Sequence, residues 1–247
     1  MTVPAPRIEA EHLTRIWPVP SGEPVRAVDD LSFTVEAGVV YGLLGANGAG
    51  KSTTMRMLAT LTKPTSGTAR LCGHDVQTAP QQVRASLGYL SASSGLPTRV
   101  SCREVLALFA GLHRVDDVEC AVAQAIANFG ISEFADRRIE TLSTGMRQRV
   151  RIASAAIHEP PVLILDEPTA GLDLVASDRL LDSILEARDR GASVIFSTHI
   201  LREAAKICDR IGVIDQGHIK AEGSVDELLA VTDTESLEAA FLKLVGG

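Results

Sequence analysis

The stretch Gly45-Ala-Asn-Gly-Ala-Gly50-Lys51-Ser52 constrains this chain more than any other. It follows the apolar run VVYGLL and precedes KSTTMRMLATL, which has helical periodicity. A loop with almost no side chains lets backbone N–H groups converge on an anion without Cβ clashes. A helix starting at Lys51 adds its positive N-terminal end. The pattern G-x-x-x-x-G-K-[ST] therefore predicts a strand, a phosphate-cradling loop and a helix, against the alternative of a chance glycine turn. In that reading Gly45, Asn47, Gly48, Ala49 and Gly50 form the cradle. Lys51 neutralises the outer phosphates, Ser52 suits Mg²⁺, and Thr53 supplies a second hydroxyl.

Strand-like runs recur at residues 39–44, 86–90, 162–165, 192–197 and 210–214, with helical patterns between several of them. This alternation predicts an α/β core with a mostly parallel sheet. Residues 7–33 read as β-rich, residues 51–61 as a helix, and residues 101–157 as almost wholly helical, with Ser101 and Glu104 forming a capping-box pattern. The tail from about residue 225 is amphipathic and helical.

The run VLILDEPTAGLD carries the second part of the chemistry. Its buried strand delivers Asp166 and Glu167 to the strand's C-terminal end. Asp166 suits the metal side of a phosphate site, directly or through water. Glu167 is a candidate base for an attacking water. The third part, LSTGM, precedes a long helix. Ser143 and the Gly145 N–H either cap that helix or grip a phosphate there.

Composition bounds the partners. The 247 residues are 45% hydrophobic, enough for a sizeable core, and carry a net charge of −7. Aromatics make up 4%. General basic character and a base-stacking surface are both missing, so no nucleic-acid partner is expected. The cysteines Cys72, Cys102, Cys120 and Cys208 are far apart and read as reduced packing residues. The start has no charged-then-apolar leader, and no apolar run approaches the ~18 residues of a bilayer crossing.

Taken together, these motifs resemble the ATP-binding cassette (ABC) subunits over almost the whole chain. GANGAGKST is similar to the Walker A motif and LILDE to Walker B with its catalytic glutamate. LSTGM is similar to the signature LSGGQ, with Thr144 and Met146 as departures. AGLD, ending at Asp173, resembles the D-loop, and STH, ending at His199, the switch histidine. The resemblance implies a P-loop NTPase (RecA-like) core with an N-terminal β-rich subdomain and an inserted α-helical subdomain. It divides the chain into residues 1–90, with the β subdomain and the Walker A half, and 91–157, the helical subdomain with the signature. Residues 158–224 hold Walker B, D-loop and switch, and 225–247 a helical appendage.

The same resemblance implies function. The cofactors are ATP and Mg²⁺, the latter held by Ser52 and Asp166. Glu167, His199 and Lys51 are the catalytic set, and Asp173 communicates between two sites. Two chains bind head to tail, so Ser143 and Gly145 serve the partner's γ-phosphate. Trp17, aligned with the family's aromatic position, stacks on adenine. A membrane-spanning permease is the further partner, and the location implied is the cytoplasmic face of the membrane. The segment LGYLSASSGLPTRVS departs from the family by placing Ala92 where a metal-touching glutamine usually stands; no Gln lies between Gln82 and Gln124. That departure resembles the Nat-type sodium-efflux ATP-binding subunits, which implies export and sodium as cargo. Two alternatives remain: a soluble ABC-type ATPase acting on ribosomes or DNA, and a small-molecule P-loop kinase.

Overall fold

In the computed structural model, which describes residues 7–20, 22–91 and 95–246, the chain forms two sheets with helices around them. The larger sheet contains β3 (Val40–Leu44), β6 (Leu87–Leu90), β7 (Val162–Asp166), β8 (Ser193–Thr198), β9 (Arg210–Asp215) and β10 (His218–Gly223). Their order is β10-β9-β3-β8-β7-β6, parallel except for the hairpin strand β10. Strands β3, β7 and β8 are buried along their full length. Unbroken apolar runs are what a parallel sheet covered on both faces requires.

The period of two sorts these residues between two cores. Leu163, Leu165, Val194 and Phe196 face one core. It is packed by α3 (Cys102–Leu112), α4 (Val118–Asn128), α5 (Thr144–Ala156) and α6 (Leu174–Asp189). Val162, Ile164 and Ile195 face the other. There α1 (Lys51–Leu58) meets the smaller antiparallel sheet, ordered β2-β1-β4-β5, of β1 (Ile8–Trp17), β2 (Val25–Val35), β4 (Ser66–Leu71) and β5 (His74–Asp75). The fold class is the one expected. Periodicity had singled out neither β4, β5 and β10 nor α2 (Pro80–Ala85).

Several boundaries moved. The helix read to residue 61 ends at Leu58, and Thr60 takes a left-handed φ of 61°. The capping box at Ser101 and Glu104 is formed in both directions. The tail is two helices, α8 (Val225–Thr232) and α9 (Leu237–Val245), broken at Asp233 with φ 50°. Leu228 and Leu237 pack with Leu44, Ile211 and Val213, so the tail covers one end of the sheet. None of the four cysteines is in a disulfide; Cys120 is exposed, so the packing role expected for all four applies to the other three.

His113, capping the C-terminus of α3, stacks on His158 beyond α5, with ring centroids 3.6 Å apart and planes within 6°. Burial, and secondly the neighbouring His113, push the His158 imidazole down to about 4. An unfolded histidine takes up its proton near pH ~6.5, so between those values the unfolded chain binds more protons than the folded one. The stability His158 contributes is complete above pH ~6.5 and is lost as pH falls toward its folded value. His158→Phe keeps a stacked ring and removes the titration. Its melting temperature should fall less than that of the wild type between pH 7.5 and 5. Equal declines would dismiss the His158 linkage.

Candidate active site

The parallel register gathers the chemistry at one end of the sheet. Leu44 pairs with Thr198, Asp166 with Ser197 and Leu90 with Leu165. The loop after β3, the carboxylates after β7 and the histidine after β8 therefore emerge side by side. Ligand sites in open α/β sheets form beyond the carboxyl ends of strands for this reason.

Two loop glycines are enforced by contact. A Cβ at Gly45 would lie 2.3 Å from the Ile214 carbonyl oxygen. One at Gly50, where φ is 109°, would lie 2.5 Å from the Ala27 carbonyl oxygen. Asn47, Gly48, Lys51, Ser52, Thr53 and Glu167 line a cleft of ≈ 380 Å³. Ala49 differs from its neighbours: its methyl is buried and its N–H donates to Ala46 O at 3.2 Å, within the loop itself.

Lys51 is only 4% exposed. Its ammonium donates to Gly45 O at 2.8 Å and Ala46 O at 3.0 Å, and Nζ lies 3.3 Å from Glu167 Oε1. Asp166, buried at the end of β7, accepts at Oδ1 from Ser52 Oγ (3.1 Å) and Ser197 Oγ (2.7 Å). Ser197 Oγ in turn accepts from the Glu167 N–H at 2.9 Å. Glu167 has a positive φ of 45°, and its carboxylate sits 3.4 Å from His199 Nδ1. One carboxylate thus contacts both Lys51 and His199.

Residues the sequence reading left without a role complete this end. Ser197 lies inside STH, the one local signal that pointed to it. Glu203, on α7 (Leu201–Ile207), is buried and accepts from Thr169 Oγ1 (2.9 Å) and Thr198 Oγ1 (2.8 Å), joining the loops after β7 and β8. No local pattern marks Glu203, since its partners are distant in sequence.

Ser143, Gly145 and Asp173 are placed elsewhere. Ser143 caps α5, its hydroxyl accepting from Met146 N at 3.2 Å, and Asp173 caps α6, accepting from Ala176 N at 2.8 Å. Together with Met146, Arg149 and Arg179 they line a second cleft that shares no residue with the first. Trp17 is 36% exposed at the end of β1, and the Arg15 guanidinium carbon lies 3.9 Å from its ring centroid. Ala92 lies outside the described residues.

Strand, glycine loop and helix beside a carboxylate pair define the class: a P-loop nucleoside triphosphatase. Residues 28–170 match the model of the ABC transporter family, and the chain belongs to that family. It is 40% identical over 229 residues to the daunorubicin/doxorubicin resistance ATP-binding protein DrrA of Streptomyces peucetius, covering 92% of this chain and 68% of that one. It is 35% identical to the ABC transporter ATP-binding protein NatA of Bacillus subtilis, covering 90% and 92%. A solved ATP-binding subunit of an ABC transporter superposes with a TM-score of 0.84 at 29% identity, over 96% of this chain and 98% of that one. The chain is accordingly an ATP-binding subunit with ATPase activity. Among the described residues no helix is long and apolar enough to cross a membrane.

Proposed function

We propose that two copies of this chain bind ATP head to tail and drive export through a separate membrane-spanning permease, from the cytoplasmic face of the membrane. The observation that supports this most is the separation of the phosphate-loop cleft from the cleft of Ser143, Gly145 and Asp173. One chain holds both halves of a composite site but does not join them; a second copy, reversed, supplies what each lacks.

In this reading the loop from Gly45 to Thr53 holds the phosphates and Trp17 the adenine. The Ser52 and Asp166 oxygens, 3.1 Å apart, are the hard donors Mg²⁺ prefers and would hold the ion. Bound there, it would supply positive charge to offset that of the phosphates. Lys51 exchanges its loop carbonyls for phosphate oxygens. The Glu167 carboxylate accepts a proton from a water whose oxygen attacks the γ-phosphorus. The bond from that phosphorus to the bridging oxygen breaks, ADP leaves, and the proton passes to phosphate or solvent. His199 orients the water and the γ-phosphate, Asp173 links the two sites, and Ser143 and Gly145 close over the partner's nucleotide.

Export is the direction suggested by the relatives named Nod factor export ATP-binding protein I, and by the sequence around Ala92. Sodium is the cargo proposed from that sequence's likeness to Nat-type subunits. The test is purification from membranes followed by ATP-driven uptake into inside-out vesicles, with sodium and doxorubicin as alternative cargoes. A copurifying membrane-spanning subunit and ATP-dependent uptake of either cargo support export, and sodium uptake selects the proposed cargo. Recovery with ribosomes or DNA and no membrane partner, or a phosphorylated small-molecule acceptor, would overturn the reading.

A further inference from the structure

We propose that Gln148 and Arg151 are positioning residues for hydrolysis, tying the backbone beyond Glu167 and the backbone beyond β6 to the helix that begins at the Ser143–Gly145 turn. The inference rests on the roles proposed above for Glu167 and Ser143. Gln148 is buried on α5, and its Nε2 donates to the Pro168 carbonyl at 2.5 Å. Its Oε1 accepts from the Arg151 guanidinium at 2.6 Å. Arg151 also donates to the Ser91 carbonyl at 2.5 Å.

Spacing of three along a helix puts both side chains on one face. Their chemistry leaves one arrangement. A guanidinium only donates and a carbonyl only accepts, so the amide of Gln148 must turn its oxygen to Arg151 and its nitrogen to Pro168. Bonds to the charged group are the stronger kind, and a satisfied buried polar network is rigid.

What this network holds is the neighbour of a strained residue. Glu167 has φ 45°, a conformation that persists only when its surroundings over-determine it. Ser197 grips the Glu167 N–H on one side, and Gln148 grips the Pro168 carbonyl on the other. The carboxylate is thereby fixed between Lys51 and His199. Because Ser143 caps the same helix that carries Gln148, a displacement of α5 on closing over the partner's nucleotide is transmitted to Glu167 of its own chain. The two ATP sites of the dimer are coupled by this route, and Ser91 joins the segment after β6 to it.

The experiment compares Gln148→Glu, Arg151→Ala, Arg151→Lys and the double variant Gln148→Glu/Arg151→Ala in the full chain. Gln148→Glu keeps an acceptor for Arg151 and removes the donor to Pro168. Each disrupting single variant should lose about tenfold in turnover, with affinity for a non-hydrolysed ATP analogue within about twofold of wild type. The double variant should be no worse than the poorer single, because both cut one connected route. Arg151→Lys, which retains a cationic donor, should recover most of the turnover. Losses that multiply in the double variant, no recovery with lysine, or turnover within about twofold of wild type in both singles would overturn the proposal. If Gln148→Glu does not fold, Gln148→Met removes the donor to Pro168 and the acceptor for Arg151 at similar volume, and the same loss of turnover is expected. Glu167→Gln separates the two readings. If it is inactive while Gln148→Glu and Arg151→Ala are not, the coupling alone fails; if it still hydrolyses ATP, both fail.

Discussion

Glu167→Gln should bind ATP and fail to turn it over. The substitution keeps the size of the side chain and removes the only group at the end of β7 that both faces the cleft and can take a proton from water; Asp166 beside it is buried and already accepts from two serines. Loss of a positioned general base slows a reaction by about 10²–10⁴. Binding should not suffer, because the phosphate loop and Ser52 are untouched. Lys51 also loses its 3.3 Å carboxylate neighbour, which frees its charge for the incoming phosphates. With hydrolysis stopped, ATP should hold two chains together, visible as a doubled mass by size exclusion with light scattering. A variant that hydrolyses ATP at more than half the wild-type rate would remove Glu167 from this role.

What makes that prediction available from so few residues is where the signal lies. The phosphate loop is local: its glycines, lysine and serine are contiguous, with an unbroken apolar run before them and a helical period after them. The parallel core was readable for the same reason, since Val40–Leu44 and Val162–Asp166 are apolar on both faces. The supports of the site are not local. Ser197 meets Asp166 across 31 positions, and Gln148 meets Pro168 across 20. Glu203 is a buried carboxylate whose partners come from two different loops. Periodicity marks only which face of an element is apolar, so a polar residue aimed inward at a distant carbonyl looks like any interruption of the pattern. β5 and β10 escaped for related reasons: β5 has two residues, too few for a period to show, and β10 (HIKAEG) buries only Gly223 and owes its place to pairing with β9.

The separation of the two clefts carries the remaining prediction. Ser143→Arg should abolish ATP-driven association while leaving nucleotide binding to the single chain within about twofold of wild type, because the phosphate loop lies in another cleft. The serine does two things. Its hydroxyl accepts from Met146 N and so caps α5, a contribution of about 1 kcal/mol. It also stands at the positive end of that helix, where an anion from a second chain would be received. Arg149 and Arg179 already line this cleft, so a third long side chain at its mouth would fill the space into which the partner's phosphate would fit. Ser143→Ala isolates the first effect: it removes the cap and leaves the entrance open, so association should be weakened far less than by arginine. The comparison is cleanest in the Glu167→Gln background, where ATP is not consumed, with association followed by light scattering and binding by a fluorescent nucleotide. Composite sites also require that Ser143→Arg alone suppress turnover by about 10² or more, since a γ-phosphate without its second set of donors loses transition-state stabilisation of that order. Nucleotide affinity that falls in step with association would instead mean that Ser143 acts within its own chain, and the head-to-tail arrangement would have to be given up.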